Sequence, residues 1–264
     1  MRKVTLSDGT EIYCLQKFEA LAIDQHVGGY LKHGVNVRPG DVVFDVGANI
    51  GLFALRVAQR CQQNVTVYAF EPIPEIAEVL RRNLSRCANE RMKVLTYGLS
   101  RRPGSATLTY FYNSPGLSTA HPELWTSDLG HLTKTVRGGV RNPPVWWGRF
   151  IPAAMAGVIA RRLLKRSKRV ICELRTVSDV LEEYGIDRVD LLKLDIEGGE
   201  LDVLLGIGED DWPKIRQVVA EVHNVDGCLE TITGLLKQNG LTRVVVEQEP
   251  FFEGTWLYNV FAWR

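Results

Sequence analysis

Polar residues at the ends of two apolar stretches could together perform proton-transfer chemistry. Asp195 and Glu197 follow one such stretch in KLDIEGGE, and QVVAEVH ends with Glu221 and His223. Histidine is the side chain best matched to taking a proton near neutral pH, and an adjacent carboxylate stabilises its charged form. We predict that His223 is a general base and that Glu197 holds its imidazole. Asp195 either caps the next helix or contacts a ligand, and Glu221 shares the strand face of His223 in a structural or a functional role.

A glycine-containing turn follows an earlier apolar run. VFDVGANIG (43–51) places Gly47 and Gly51 where a strand should turn into a helix, and glycine there lets the backbone approach a ligand closely. The spacing is G-x-N-x-G, with Asn49 at the centre, and it differs from the G-x-G-x-x-G of dinucleotide-binding dehydrogenases. Asp45 is poorly suited to a position beside a phosphate and well suited to an ammonium group or a water network.

An acidic residue follows the next apolar run. Glu71 in YAFEP lies 20 residues beyond Gly51, where a carboxylate accepts hydrogen bonds from both hydroxyls of a ribose. The turn and this carboxylate predict a nucleoside ligand with a cationic amino-acid tail and no diphosphate. S-adenosylmethionine meets these conditions, so we predict that it is the cofactor.

Short apolar runs alternate with amphipathic segments, which predicts an α/β protein with a mostly parallel sheet covered by helices on both faces. The predicted strands are 42–46, 66–70, 93–97, 190–194, 217–222, 242–248 and 256–263, of which the last two should form an antiparallel hairpin at a sheet edge. The predicted helices are 50–60, 74–87, 177–185, 199–206 and 228–239. Because ligands gather at the carboxyl ends of parallel strands, the polar residues named above should converge there.

Two regions fall outside this alternation. Residues 1–40 contain helix-like segments and are predicted to form a helical lead-in and lid before a core of residues 41–264. Residues 112–172 are rich in Pro, Gly and Trp, and an insertion of this size is usually a lid or a binding element. Its tryptophans Trp125, Trp146 and Trp147 are candidates for an aromatic wall beside an acceptor.

The charge of the chain is unevenly distributed. The formal net charge is +1, yet residues 129–172 contain ten Lys and Arg and no Asp or Glu. The segment ARRLLKRSKR (160–169) follows FIPAAMAGVIA, and together they predict an amphipathic helix with a cationic end at 160–169. It either packs on the body as a solvated helix or binds an acidic carrier protein, a phosphopantetheine phosphate or an anionic membrane surface. Nucleic-acid binding is not expected, because no aromatic stacking motif accompanies the charge.

The cysteines and the apolar segments indicate the cellular compartment in which the protein is expected. The five cysteines form no CxxC pair, and the N-terminus lacks the apolar segment of a signal peptide, so we expect a cytoplasmic protein with reduced thiols. The longest apolar stretch, 150–160, has 11 residues and is too short to span a bilayer.

These motifs resemble those of FkbM-type class I S-adenosylmethionine-dependent O-methyltransferases. The matching stretches are VFDVGANIG, YAFEPIP (68–74), VDLLKLDIEGGE (189–200), DWPKIRQVVAEVHN (211–224) and the closing LYNVFAWR; YLKHGVNVRPGD resembles the lead-in of O-methyltransferase domains in polyketide synthase assembly lines. The resemblance implies a seven-stranded Rossmann-like sheet with the last strand antiparallel. It also implies a cofactor site lined by Asp45, Gly47, Asn49 and Glu71, to which we add Gly51 and Asp195, with Leu99 and Ser100 near the adenine.

For the chemistry, the resemblance implies a base formed by His223 and Glu197 and an alcohol acceptor on a natural product, a carrier-tethered intermediate or a glycan. This chain has Gly198 where those relatives often have Lys, and Asn224 where they often have Asp. The second departure leaves one carboxylate fewer beside His223, so we expect the dyad alone to set its pKa.

Other functions stay open at this point. Asp195, Glu197 and His223 could instead bind Mg²⁺ in a metal-assisted sugar methyltransferase. An NAD-dependent oxidoreductase fits the sheet but not the glycine turn, and an inactive binding module would keep the fold as a scaffold. Transfer to nitrogen or carbon also stays open, because the cofactor half of the sequence does not report the acceptor atom.

Overall fold

Twelve strands and nine α-helices make up the part of the chain that the computed structural model describes, residues 1–87, 89–141, 150–249 and 252–264. The strands are β1 (Arg2–Thr5), β2 (Glu11–Cys14), β3 (Val42–Val46), β4 (Thr66–Phe70), β5 (Met92–Leu95), β6 (Gly98–Leu99), β7 (Gly104–Phe111), β8 (Ser167–Arg175), β9 (Leu191–Leu194), β10 (Gln217–His223), β11 (Arg243–Glu247) and β12 (Leu257–Trp263). The helices are α1 (Lys17–His26), α2 (Leu52–Arg60), α3 (Pro74–Leu84), α4 (Glu123–Thr126), α5 (Leu129–Arg141), α6 (Ala156–Leu164), α7 (Val177–Tyr184), α8 (Glu200–Leu205) and α9 (Cys228–Gln238).

The seven strands predicted from apolar runs form one sheet, in the order β11-β12-β10-β9-β3-β4-β5. β12 runs antiparallel to both of its neighbours, and the other pairings in the sheet are parallel. The predicted α/β class, the edge hairpin and the antiparallel last strand are therefore confirmed. The strands next to the centre read as continuous apolar runs because both faces of the sheet are covered by helices.

Each face of the sheet has its own hydrophobic core. On one face, Leu52 and Val57 of α2 pack with Ile76 and Leu80 of α3. On the other face, the buried residues of the helices are Val180 and Leu181 of α7, Val203 and Leu204 of α8, and Ile232 and Leu236 of α9. The predicted helices are thus confirmed, with ends shifted by at most three residues, as in α3, which stops at Leu84.

The first forty residues are only partly helical, which corrects the prediction of a helical lead-in. They begin with the antiparallel hairpin β1–β2, followed by α1 and a short 3₁₀ turn at Val27–Tyr30. The hairpin turn contains Asp8 and Gly9; Gly9 has φ +86°, and Asp8 accepts a hydrogen bond from the backbone N–H of Thr10. An Asp-Gly pair between apolar runs is a strong hairpin signal.

The predicted insert contains both helices and a long strand. α5 and α6 pack on each other, and β8 pairs with β7 over eight residues in a second, three-stranded sheet. The prediction of one amphipathic helix over 160–169 is wrong in its second half. α6 ends at Leu164, and Lys168 and Arg169 belong to β8, where alternating side chains and β-branched Val170 and Ile171 favour a strand. Trp146 and Trp147 lie outside the described residues.

Among the described residues, no helix has the length and apolar character needed to cross a membrane. The five cysteines are all unpaired, as the sequence predicted.

A buried amide helps to attach the N-terminal hairpin to the core. Asn83 of α3 accepts a hydrogen bond from the N–H of Tyr13 at 2.8 Å and donates to the carbonyl oxygens of Tyr13 and Ile50 at 3.0 and 2.8 Å. We expect Asn83→Ala to lower the free energy of unfolding by about 2–3 kcal/mol, because it leaves these backbone groups buried without partners. Urea unfolding measures the change, and Asn239→Ala, which removes one local bond to Leu235, should have a much smaller effect. Equal stabilities of the two variants would contradict this account of the hairpin.

Candidate active site

A cavity of about 560 Å³ opens at the carboxyl ends of the parallel strands, a volume typical of small-molecule sites. The sheet register explains why the predicted residues meet there. Val46 pairs with both Phe70 and Leu194, and Leu194 pairs with Ala220, so the next residue of each strand lies at the same level of the sheet. Those next residues are Gly47, Glu71, Asp195 and Glu221, and all four line the cavity.

The remaining predicted residues divide into two groups. Asn49, Leu99, Ser100 and Glu197 also line the cavity, whereas Asp45, Gly51 and His223 lie behind its wall.

The turn after β3 is built around two glycines with positive φ. A Cβ atom at Gly47 (φ +74°) would lie 1.8 Å from the carbonyl oxygen of Asp195, and one at Gly51 (φ +89°) would lie 2.6 Å from Cδ1 of Leu80. Asn49 between them also has a positive φ, of 49°, which asparagine tolerates better than most residues. Gly47 is thus required because the backbone of Asp195 packs directly against it and leaves no room for a side chain.

Glu71 joins this turn to the end of β4. Its two carboxylate oxygens accept hydrogen bonds from the backbone N–H groups of Asn49, at 3.1 Å, and Ile73, at 3.0 Å. Burial raises the pKa of Glu71 to about 7 despite these two donors. The carboxylate is held in place by the backbone and retains lone pairs for hydroxyl donors in the cavity.

Lys193 is a site residue that the sequence analysis missed. It is 2% exposed, and its Nζ lies 3.1 Å from Oδ1 of Asp45 and 3.6 Å from Oδ2 of Asp195. It also donates to the carbonyl oxygen of Gly47 at 2.9 Å. Burial alone would lower the pKa of Lys193, but the two carboxylates raise it above its ordinary value. Asp45, which is fully buried, therefore faces an internal ammonium group and reaches a ligand only through Lys193.

The N-terminal segment reaches the same edge through two contacts. The hydroxyl of Tyr30 donates to Asp195 at 2.9 Å. Glu19 of α1 accepts hydrogen bonds from Ser114 Oγ at 3.0 Å and from the N–H of Gly116 at 2.8 Å, and burial raises its pKa to about 7. Glu19 therefore ties α1 to the start of the predicted insert across the cavity.

His223 lies between two carboxylates. Its Nε2 is 3.1 Å from Oε2 of Glu197, and its Nδ1 is 3.4 Å from Oε1 of Glu200. Burial alone would lower the pKa of His223, but its contacts with Glu197 and Glu200 raise it well above its ordinary value. The expectation that Glu197 alone accompanies His223 is therefore wrong, because Glu200, at 2% exposure, supplies a second carboxylate.

The order of the pair also differs from the expected one. The prediction placed His223 next to the acceptor, whereas in the structure Glu197 lines the cavity and His223 lies behind it at 2% exposure. Glu197 has a positive φ of 60°, and the carbonyl oxygen of the same residue accepts a hydrogen bond from Thr119 Oγ1 at 2.5 Å. Burial raises the pKa of Glu197, and His223 partly opposes that shift.

Apolar side chains surround this pair. The ring of Trp125 meets that of His223 edge to face with centroids 5.6 Å apart, and Leu257 pairs with His223 in the sheet. Trp125 and Leu257 line the cavity together with Leu117 and Ala120. Of the three tryptophans predicted to form an aromatic wall, Trp125 lies at this position, 2% exposed.

The structure does not bring Asp195, Glu197 and His223, the residues considered as magnesium ligands, together as a set of metal ligands. In the described part of the chain, no group of three or more His, Cys, Asp or Glu side chains is placed to hold a metal ion. Of the other histidines, His33 contacts Glu247 at 2.8 Å and His26 contacts Glu249 at 3.4 Å, away from the Glu197–His223 pair.

Comparison with known families decides the class of protein. The model of the methyltransferase FkbM domain matches residues 45–251. The chain belongs to the FkbM methyltransferase family. The oxidoreductase alternative is therefore wrong.

The relatives of this chain include a protein of similar length and a much longer protein. The chain is 39% identical over 235 residues to the 31-O-demethyl-FK506 methyltransferase FkbM of Streptomyces tacrolimicus, covering 89% of this chain and 85% of that protein. It is 35% identical over 241 residues to the AMB antimetabolite synthetase AmbE of Pseudomonas aeruginosa, covering 89% of this chain but 11% of that much longer protein. The crystal structure of methyltransferase FkbM from Methylobacillus flagellatus KT superimposes with a TM-score of 0.52 at 12% identity, over 91% of this chain and 50% of that one, which shows the shared fold.

The buried lysine generates a stability prediction. Lys193→Met leaves Asp45 buried without a cation and should lower the free energy of unfolding by about 3–5 kcal/mol. Adding Asp45→Asn removes the isolated charge and should restore more than half of the loss. Urea unfolding compares these variants with Lys93→Met, an exposed lysine over the rings of Tyr68 and Tyr184, which should cost under about 1 kcal/mol. Equal losses for the single and the double variant would contradict the pairing.

Proposed function

We propose that this protein is an S-adenosylmethionine-dependent O-methyltransferase that acts on an alcohol. The observation that supports this most is the shared cavity: Gly47 and Glu71 lie at one end, at the ends of β3 and β4, and Glu197, in contact with His223, lies at the other. One cavity thus offers a nucleoside cradle and a proton acceptor.

The residues present fit the cofactor. Glu71, held by two backbone donors, would accept the ribose hydroxyls, and Gly47 lines the cavity without a side chain of its own. Asp195 would contact the amino group of the methionine tail. Leu99 and Ser100 would lie near the adenine. Asn49 and Gly51 would shape the turn, while Asp45 acts indirectly by holding Lys193.

The cofactor supplies a methyl group on a sulfonium, and the protein must orient the acceptor and take its proton. We propose that the Glu197–His223 pair is the general base. Glu197 faces the acceptor, and its contact with Nε2 of His223 opposes the burial that raises the pKa of Glu197, so Glu197 can take the proton of the hydroxyl. Glu200 holds the other side of the imidazole and keeps it in place while the proton moves to Glu197.

The acceptor end of the cavity favours an apolar molecule with a hydroxyl group. Its walls include Leu117, Ala120, Trp125 and Leu257. The 31-O-demethyl-FK506 methyltransferase is by its name an O-methyltransferase of a natural product, and we extend that acceptor class to this chain. A carrier-tethered or glycosidic alcohol is compatible with the same chemistry.

We further propose that residues 1–40 and the insert at 112–172 close over the bound molecules, since Glu19 already links the two. The basic segment 160–169 is a candidate contact for an acidic carrier protein or another anionic surface. Arg161, Arg162 and Lys165 are exposed, and the described residues provide no ion pair for any of them.

Replacing the imidazole should separate catalysis from cofactor binding. We expect His223→Ala to lower kcat by about 10²–10⁴-fold, because Glu197 loses the partner that opposes the effect of burial on its pKa. The dissociation constant of S-adenosylhomocysteine should change by less than about twofold, since His223 does not line the cavity. Calorimetry and turnover with an apolar alcohol acceptor measure both quantities, and His33→Ala, a histidine paired with Glu247, serves as the control. Parallel losses of binding and turnover would assign His223 a structural role.

The raised pKa of Glu71 predicts a pH-dependent affinity. Below its pKa of about 7 the carboxyl group is protonated; above that value it is ionised and accepts both ribose hydroxyls. The affinity for S-adenosylhomocysteine should therefore rise roughly tenfold between about pH 6 and about pH 8. Glu71→Gln should bind weakly with a flat profile in calorimetric titrations. A variant that kept the wild-type affinity at about pH 8 would exclude Glu71 as the ribose acceptor.

A further inference from the structure

One carboxylate in the cavity has no hydrogen-bond or ion-pair partner among the described residues. Six acidic side chains line the cavity: Glu19, Glu71, Asp195, Glu197, Asp202 and Glu221. Five of them have a hydrogen-bond or ion-pair partner: Ser114 and Gly116 for Glu19, backbone N–H groups for Glu71, Tyr30 for Asp195, His223 for Glu197 and Arg101 for Asp202. Among the described residues, Glu221 has neither a hydrogen-bond partner nor an ion-pair partner.

The positive charges near Glu221 are already used. Lys193 lies between Asp45 and Asp195, and His223 lies between Glu197 and Glu200. Each internal cation is thus shared by two carboxyl groups, and Glu221 is a fifth carboxyl group beside these four. Burial first, and then the charges of Asp195 and Glu197, raise the pKa of Glu221 well above its ordinary value. The edge of the sheet has more acidic groups than its own cations can neutralise.

Glu221 lies where the methyl transfer would occur, so the excess of acidic groups over cations is located there. It lies on β10 at the level of Asp195 in the neighbouring strand and two residues before His223, on the same strand face. Across the antiparallel pair it is opposite Asn259, a neutral residue. Glu221 therefore stands between the proposed contact for the methionine tail and the proposed base.

We propose that Glu221 recognises the positive charge of the cofactor's sulfonium and so distinguishes S-adenosylmethionine from S-adenosylhomocysteine. This inference rests on the proposed function and adds a specificity residue to it. Methyl transfer turns the sulfonium into a neutral thioether, so a product that no longer compensates Glu221 is held less tightly than the substrate. A carboxylate that makes no hydrogen bond or ion pair with the described residues is suited to this task, because its attraction is not already satisfied.

The test compares ligands that differ in charge at one position. Isothermal titration calorimetry measures the binding of S-adenosylmethionine, S-adenosylhomocysteine and sinefungin, in which an amine-bearing carbon replaces the sulfonium, to the wild-type protein and to Glu221→Gln. The glutamine keeps the size of the side chain and cannot carry a negative charge beside the sulfonium. We expect the dissociation constants of S-adenosylmethionine and sinefungin to rise about tenfold and that of S-adenosylhomocysteine to change by less than about twofold.

Asp202→Asn is the matched control, because Asp202 also lines the cavity but is half exposed and pairs with Arg101. It should change the binding of all three ligands by the same small factor. Thermal unfolding of Glu221→Gln checks that the fold is intact. Equal effects of Glu221→Gln on charged and neutral ligands, or no effect on any of them, would overturn the assignment of Glu221. Failure of the wild-type protein to bind all three ligands would instead overturn the proposed function.

Discussion

The ammonium group of Lys193 between Asp45 and Asp195 is the contact on which the rest of the site depends. It joins the carboxyl ends of β3 and β9, the two neighbouring strands that supply the glycine turn and the KLDIEGGE segment. A charge at 2% exposure is tolerable only with such partners. Without the ammonium group, the neighbouring carboxylates of Asp45 and Asp195 would repel each other. By donating also to the carbonyl oxygen of Gly47, Lys193 holds the turn at the distance from Asp195 that only glycine permits.

The same arrangement recurs one strand away. His223 on β10 lies between Glu197 and Glu200, just as Lys193 on β9 lies between its two aspartates. Carboxylates are thus gathered at the sheet edge at a density that their mutual repulsion would otherwise oppose, and each internal cation neutralises part of the charge. The two carboxylates raise the pKa of His223 above that of a free histidine, while Glu197 faces the cavity. The same crowding leaves a net acidic cavity, which suits a cationic cofactor and discourages a diphosphate.

Much of this could be predicted from the sequence, and the reasons are physical. Continuous apolar runs separated by amphipathic segments can pack only as a covered parallel sheet, so all seven of its strands were found, and strand ends that meet at one edge brought Gly47, Glu71, Asp195 and Glu221 together. What was missed depends on side-chain direction. LLKL looks like an apolar strand, and nothing local shows that Lys193 turns towards Asp45, although a lysine in a buried strand always requires a partner. The sequence places Glu200 in a helix but does not show that its carboxylate contacts His223. That contact depends on the irregular backbone before the helix, with φ +60° at Glu197 and φ +108° at Gly198. The strand β8 was missed because its basic residues resemble a helix end.

A crystal structure with S-adenosylhomocysteine bound is the most direct measurement of whether this edge of the sheet is the cofactor site. The ribose hydroxyls should lie within hydrogen-bonding distance of Glu71, the amino group should lie against Asp195, and the thioether should face the side of the cavity formed by Glu197 and Glu221. A nucleoside bound elsewhere, or one whose sulfur points away from Glu197, would contradict the assignment of both the cradle and the base.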